Sequence, residues 1–265
     1  MDLHLKGRRI LVIGGSYGIG KATAALLVKE GAEVIIASRS AENLTAAAAD
    51  IAAETGADAP RTLVCDLTQA GAGEVLTQAV ADHWGGALDG LISAVGGSIR
   101  SAFEDLSDDD WMANYQFNVL STVRAIRALL PALEAGNAPS IVTLGAAASK
   151  MPYQHQIASN VHKAGLLGLN KTLAAELAPR GIRVNLVAPG RTVTPLWTNR
   201  ADKMSAEDGR SREEIFAEFS RDIPLARFGQ PEEVAVMAVW MSSPLASYVT
   251  GQAVNVDGGI ARGLL

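Results

Sequence analysis

The chain has 265 residues and a formal net charge of −5, with 48% hydrophobic and 19% charged residues. That is enough apolar material for one well-filled core, and the absence of a basic block argues against nucleic acid as the main partner. A single cysteine (Cys65) precludes an internal disulfide, and neither a signal-peptide core nor an apolar run of about 18 residues occurs, so a cytoplasmic chain with no membrane partner is expected.

Arg9 to Val12 reads as a short buried strand. Lys21 to Glu30 reads as a helix, with Ala22, Ala25, Leu26 and Lys29 on successive turns. Between them lies Ile13-Gly14-Gly15-Ser16-Tyr17-Gly18-Ile19-Gly20. A strand that breaks on glycines and restarts as a helix leaves unpaired N–H groups aimed at one spot, and the helix dipole adds positive charge there. The stretch therefore predicts a dinucleotide cradle built from Gly14, Ser16, Tyr17, Gly18, Ile19 and Gly20. Gly14 permits the tight turn, Gly18 the approach of the diphosphate, and Gly20 close helix–sheet packing.

Further strands are expected at residues 33–37, 61–65, 88–94, 140–145, 183–188 and 253–256. Helices are expected at 42–54, 74–83, 109–133, 159–178 and 232–241. Such alternation implies an α/β fold, a doubly wound parallel sheet of Rossmann type in one domain spanning 1–265. Asp108-Asp109-Asp110 opens a helix: Ser107 caps it and Asp110 completes a capping box. His4, His83, His155 and His162 have no partners at metal-ligand spacing, so no metal is predicted.

The second strand ends Ala37-Ser38-Arg39. An NAD site commonly places a carboxylate here to hold the ribose hydroxyls, and that charge would repel a 2′-phosphate. Ser38 does not repel it, and the Arg39 guanidinium can grip a phosphate through paired hydrogen bonds. The preferred cofactor is thus NADP(H), with NAD second. Asp66 after the third strand either accepts the adenine amino group or caps the next helix.

These motifs together resemble the short-chain dehydrogenase/reductase family over nearly the whole chain. The glycine loop is similar to the family's TGxxxGIG, with Ile13 in place of Thr. Asp66-Leu67 resembles its adenine contact, Ala94 and Gly96 fall in its altered NNAG signature (Ser93-Ala94-Val95-Gly96), and Pro189-Gly190-Arg191-Thr192-Val193-Thr194 resembles the segment that cups the nicotinamide. By the resemblance, Pro189, Gly190, Thr192 and Thr194 contact cofactor, as do Ala94, Gly96 and Leu67. Residues 225–234 and 250–259 resemble its C-terminal signatures.

The resemblance implies hydride transfer assisted by Asn, Ser, Tyr and Lys. Asn118 and Lys163 fill two of these roles. The serine position is Ala146, which has no hydroxyl, and the tyrosine position is Ser159, four residues before Lys163. Ser159 and Lys163 share a helix face, although Ser159 also reads as a residue that caps or starts the helix. Tyr153 and His155 are possible substitute acids in the neighbouring loop. His162 points about 100° away from Lys163 and reads as a packing residue.

The charged segment 191–229, carrying Trp197, Phe216 and Phe219, suits a lid over a small-molecule substrate. The resulting expectation is an NADP(H)-dependent oxidoreductase with an atypical site, acting on a carbonyl, imine or activated double bond. A cofactor-binding pseudoenzyme and a non-redox elimination or isomerisation enzyme are the alternatives. By analogy with the family, a homodimer or homotetramer is expected.

Overall fold

Ile10 and Val12 face one way along the first strand, Leu11 and Ile13 the other, and all four are fully buried. A strand apolar on both sides must lie inside a sheet covered on both faces. In the computed structural model, which describes residues 2–263, this strand (β1, Arg9–Ile13) is near the middle of seven. The others are β2 (Glu33–Ser38), β3 (Arg61–Val64), β4 (Gly90–Ser93), β5 (Ser140–Leu144), β6 (Arg183–Pro189) and β7 (Ala253–Val256). All pair in parallel in the order β3-β2-β1-β4-β5-β6-β7. The order reverses between β1 and β4, which opens a crevice at the carboxyl ends of those strands.

Two helical layers cover the sheet. On one face Ile10, Val12, Ile36 and Val187 pack against α1 (Gly18–Lys29), α2 (Ala41–Thr55) and α9 (Pro231–Ser242). On the other, Leu11, Ile35, Ile141 and Val184 pack against α3 (Ala72–Trp84), α5 (Ser121–Glu134) and α6 (Ile157–Leu177). The buried stripe of α1 runs through Thr23, Ala24, Ala25, Leu27 and Val28, so of the expected set Ala25 is buried while Ala22, Leu26 and Lys29 are not. Almost every residue of this helix is small or apolar, so spacing alone does not select its inner face.

Two segments differ from the sequence expectation. The helix expected at 109–133 is broken: α4 (Asp108–Tyr115) passes through a wide π-turn at Gln116–Leu120 before α5 begins. The turn surrounds Asn118, whose side chain bonds both Asn114 in α4 and the Gly97 N–H outside the helix; such bulges recur at functional sites. Segment 191–229 is not an irregular connection but carries α7 (Pro195–Asp208) and α8 (Arg212–Ser220). Their apolar side is a cluster of Trp197, Phe216, Phe219 and Phe228, with ring centres 4.5–5.2 Å apart in three of the pairs. The capping box read at Ser107 and Asp110 is present.

Candidate active site

The crevice is walled first by the glycine loop. Gly14 has a φ of +79°, open to glycine at little cost, and a β-carbon there would stand 2.8 Å from the Ala94 carbonyl. Gly20 lies directly against the Gly14 carbonyl, so any side chain would push α1 off the sheet. The N-terminus of α1 has no side-chain cap and no acidic residue in its first turn. Its N–H groups and dipole remain available to an anion.

The next wall is the end of β2. The hydroxyls of Ser16 and Ser38 are both buried and, among the described residues, have no hydrogen-bond partner. A buried hydroxyl without a partner costs about 1–3 kcal/mol, which a bound ligand would recover. Arg39 stands beside Ser38 at the crevice and stacks 5.3 Å from the Phe117 ring centre. Asp66 forms a turn rather than a cap: it accepts the Thr68 N–H at 3.0 Å and the Thr68 hydroxyl at 2.8 Å, while α3 starts only at Ala72. Burial opposes its charge, but these bonds outweigh it and hold the carboxyl below its ordinary range.

Every cofactor residue read from the sequence lines this one crevice, from Tyr17, Gly18 and Ile19 through Leu67, Ala94 and Gly96 to Pro189, Gly190, Thr192 and Thr194. The residues present thus fit a phosphorylated dinucleotide: a glycine cradle, an uncapped helix end and two orphaned hydroxyls converge.

Deeper in, Ala146, Tyr153, Ser159 and Lys163 line the same crevice. Ser159 and Lys163 are only 3% and 8% exposed, one turn apart on α6. Ser159 does not cap the helix, since Gln156 holds that position; its Oγ accepts the Ile99 N–H at 3.0 Å. Among the described residues, its own proton has no acceptor and is free to be donated. The Lys163 amine lies against Gly96, where a side chain would displace it. Burial pulls its pKa down to about 8, because no carboxylate among the described residues offsets the loss of hydration.

Asn118 lies behind this wall, fully buried, and does not line the crevice itself. Its Oδ1 accepts the Gly97 N–H at 3.0 Å, and its Nδ2 donates to the Asn114 carbonyl at 3.0 Å and to Asn114 Oδ1 at 3.1 Å. It therefore fixes the loop after β4 to the π-turn. His162 packs on Trp111 and Tyr115, with Nδ1 2.7 Å from Asn114 Oδ1, and burial lowers its pKa. Of the two substitute acids, His155 is exposed, has a φ of +59° and does not line the crevice. Tyr153 does line it; its hydroxyl is buried and unpartnered among the described residues, and burial raises its pKa, keeping it protonated.

A family model described as enoyl-(acyl carrier protein) reductase matches residues 14–261. The 3-oxoacyl-[acyl-carrier-protein] reductase of Thermotoga maritima is 34% identical over 259 residues, covering 97% of this chain and 99% of that protein. The chain belongs to the short-chain dehydrogenase/reductase family. Among solved members, L-sorbose reductase from Gluconobacter frateurii, complexed with NADPH and L-sorbose, superposes with a TM-score of 0.94 at 28% identity over the full length of both chains. The NADPH-bound short-chain oxidoreductase of Pseudomonas aeruginosa PAO1, which contains an atypical catalytic center, gives 0.88 at 30% identity, covering 97% of this chain and 99% of that one.

Two cations that line the crevice were not singled out in the sequence. Arg100, in the loop after β4, and Arg200, in α7, both face the crevice. Neither sits in a recognisable motif, and only the folding of residues 195–208 into a helix brings them together.

Proposed function

We propose that this family member is an NADP(H)-dependent oxidoreductase with an atypical proton-donor site. The observation that carries the cofactor choice is the corner made by Ser16, Ser38 and Arg39: two buried hydroxyls await acceptors, and a guanidinium replaces the carboxylate that would repel a 2′-phosphate. The NADPH in the related structures supports the same choice. When bound, the nicotinamide supplies or accepts hydride.

The chain's own residues do the rest. Lys163, cationic below about pH 8, brings positive charge to the deep end of the crevice. Ser159 uses its oxygen to hold Ile99 and its proton to orient a substrate heteroatom. An aliphatic hydroxyl is a poor general acid, and a positioned acid is worth about 10²- to 10⁴-fold in rate. Substrates that need little acid help therefore suit the site: an imine, a quinone or an activated enone ahead of a simple ketone. Helices α7 and α8 act as the lid that selects among them, and the exposed apolar side chains of α6, Ile157 and Val161, contribute to a homo-oligomer contact. A cofactor-binding protein with little turnover is the second reading, favoured by the engagement of the Ser159 oxygen with the backbone.

The test is NADPH oxidation over a panel of ketones, imines and enones, for the native chain and for the Ala146→Ser/Ser159→Tyr double variant. Native turnover of imines or enones, with ketone reduction gained only by the variant, is expected. Equal ketone reduction by both would overturn the assignment of these positions, and no native turnover on any class would leave the second reading standing.

A further inference from the structure

At the substrate end, the crevice is lined by three guanidiniums from three separate elements: Arg100 after β4, Arg191 after β6 and Arg200 on α7. Arg191 is satisfied. It donates to the Phe219 carbonyl and pairs with Asp222 at 2.9 Å. Arg100 and Arg200 have no carboxylate within ion-pair distance among the described residues. Arg200 is instead half-buried on aromatic faces, 4.4 Å from the Trp197 ring centre and 4.8 Å from that of Phe219. Stacking offsets part of its lost hydration, but two like charges face it. Burial, then Arg100 and Arg191, lower its pKa to about 10, so it is still charged at neutral pH.

Nearby acids do not cancel this charge. Asp222 is committed to Arg191, and Glu207 stands 3.8 Å from Lys203. A chain of net charge −5 has thus gathered unpaired cations at one end of one crevice. Arg100 is exposed, but Arg200 is half-buried, and a half-buried cation is costly unless an anion joins it; among the described residues both line the crevice read as the substrate's.

We propose that Arg200 and Arg100 bind an oxyanion carried by the substrate, a carboxylate or a phosphate monoester, and so restrict the reaction to acidic substrates. This rests on reading the crevice as the hydride-transfer site. The anion would lie between the two guanidiniums, with the reducible bond directed inward to Ser159 and Lys163. Trp197, under Arg200, reports its arrival.

The experiment titrates NADPH-saturated protein with pyruvate, methyl phosphate and uncharged methyl pyruvate, following tryptophan fluorescence, with Trp197→Phe to confirm the signal. NADPH saturation blocks the 2′-phosphate corner, and nucleotide binding is read separately from NADPH fluorescence. Pyruvate or methyl phosphate should bind at least about tenfold more tightly than methyl pyruvate, and Arg200→Met should remove about ten- to a hundredfold of that affinity while NADPH affinity stays within about twofold. The tighter of the two anions identifies the headgroup. Equal binding of ester and anions, or an unaffected Arg200→Met, overturns the proposal. If NADPH itself fails to bind, the cofactor reading falls alone, and the same anion titrations of nucleotide-free native and Arg200→Met protein still decide this one.

Discussion

The two ends of the sheet handle buried polar groups in opposite ways. At the amino ends of the strands, Asp89 is almost wholly buried and answered on all sides. Arg9 grips it through Nε at 3.0 Å and a terminal nitrogen at 2.8 Å, and the N–H groups of Arg9 and Asn137 donate to it at 2.9 and 2.8 Å. Arg183, also at that end, spends its donors on the carbonyls of Met241 and Ser243 at the end of α9, where the helix dipole favours a cation. At the carboxyl ends, the hydroxyls of Ser16, Ser38 and Tyr153, the Lys163 amine and two guanidiniums face a shared crevice without such partners among the described residues. The same fold satisfies one end internally and leaves the other to a ligand. Arg8 Nε is an exception, an unpartnered group at the satisfied end.

Breaking the satisfied end should have the largest effect. Asp89→Ala leaves the Arg9 cation and the Asn137 N–H without their acceptor, and a loss of about 3–5 kcal/mol in urea unfolding is expected. Burial opposes the Asp89 charge, but the Arg9 and Asn137 hydrogen bonds outweigh it and depress its pKa. Its contribution is thus present above the ordinary aspartate range and is lost as pH falls through the depressed value. NADPH affinity of the folded fraction should be unchanged, because the site lies at the other end.

Removing an unsatisfied charge should do the reverse. Lys163 has its pKa lowered from 10.5 to about 8, so between those values the unfolded chain holds the extra proton and stability rises with pH. Below pH 8 the nucleotide-free protein bears a penalty of about 3 kcal/mol at roughly 1.4 kcal/mol per unit. Lys163→Met should therefore be more stable than native at pH 7, should lose the rise between pH 8 and 10, and should lose turnover. A Lys163→Met chain less stable than native at pH 7 would show that the amine is satisfied.

Ser38→Ala should have the smallest effect. Deleting a buried, unpartnered hydroxyl should stabilise the free protein in thermal unfolding by about 1 kcal/mol, the low end of its penalty. The same change should weaken NADPH binding by about tenfold, since one hydrogen bond from a neutral donor to the ionised phosphate is lost.

The contrast between the two ends also governs what the sequence reveals. The strand–glycine–helix punctuation around Gly14 and the apolar strands were legible because backbone geometry and burial restrict residue type locally. The cradle residues read in this way, Gly14, Ser16, Tyr17, Gly18, Ile19 and Gly20, line one crevice with those that the family resemblance implied. The π-turn at Asn118 was not legible, since it depends on the Gly97 N–H, more than twenty residues back in the chain, reaching its side chain. Helices α7 and α8 were obscured because their inner face is a sparse aromatic set, Trp197, Phe216 and Phe219, rather than a continuous aliphatic stripe. The pairing of Arg100 with Arg200 depends on that tertiary packing, and no local pattern encodes it. His155 and Tyr153 are two residues apart, yet only the fold separates the exposed imidazole from the crevice-lining phenol.

The open end most directly invites a parallel fluorescence titration of the native chain and Arg39→Ala with NADPH and NADH. Native protein should bind NADPH at least about tenfold more tightly than NADH, with the gap closing in the variant through weaker NADPH binding alone, as expected for one charge-assisted phosphate contact. Equal native affinities, or a preference for NADPH that survives loss of Arg39, would contradict it.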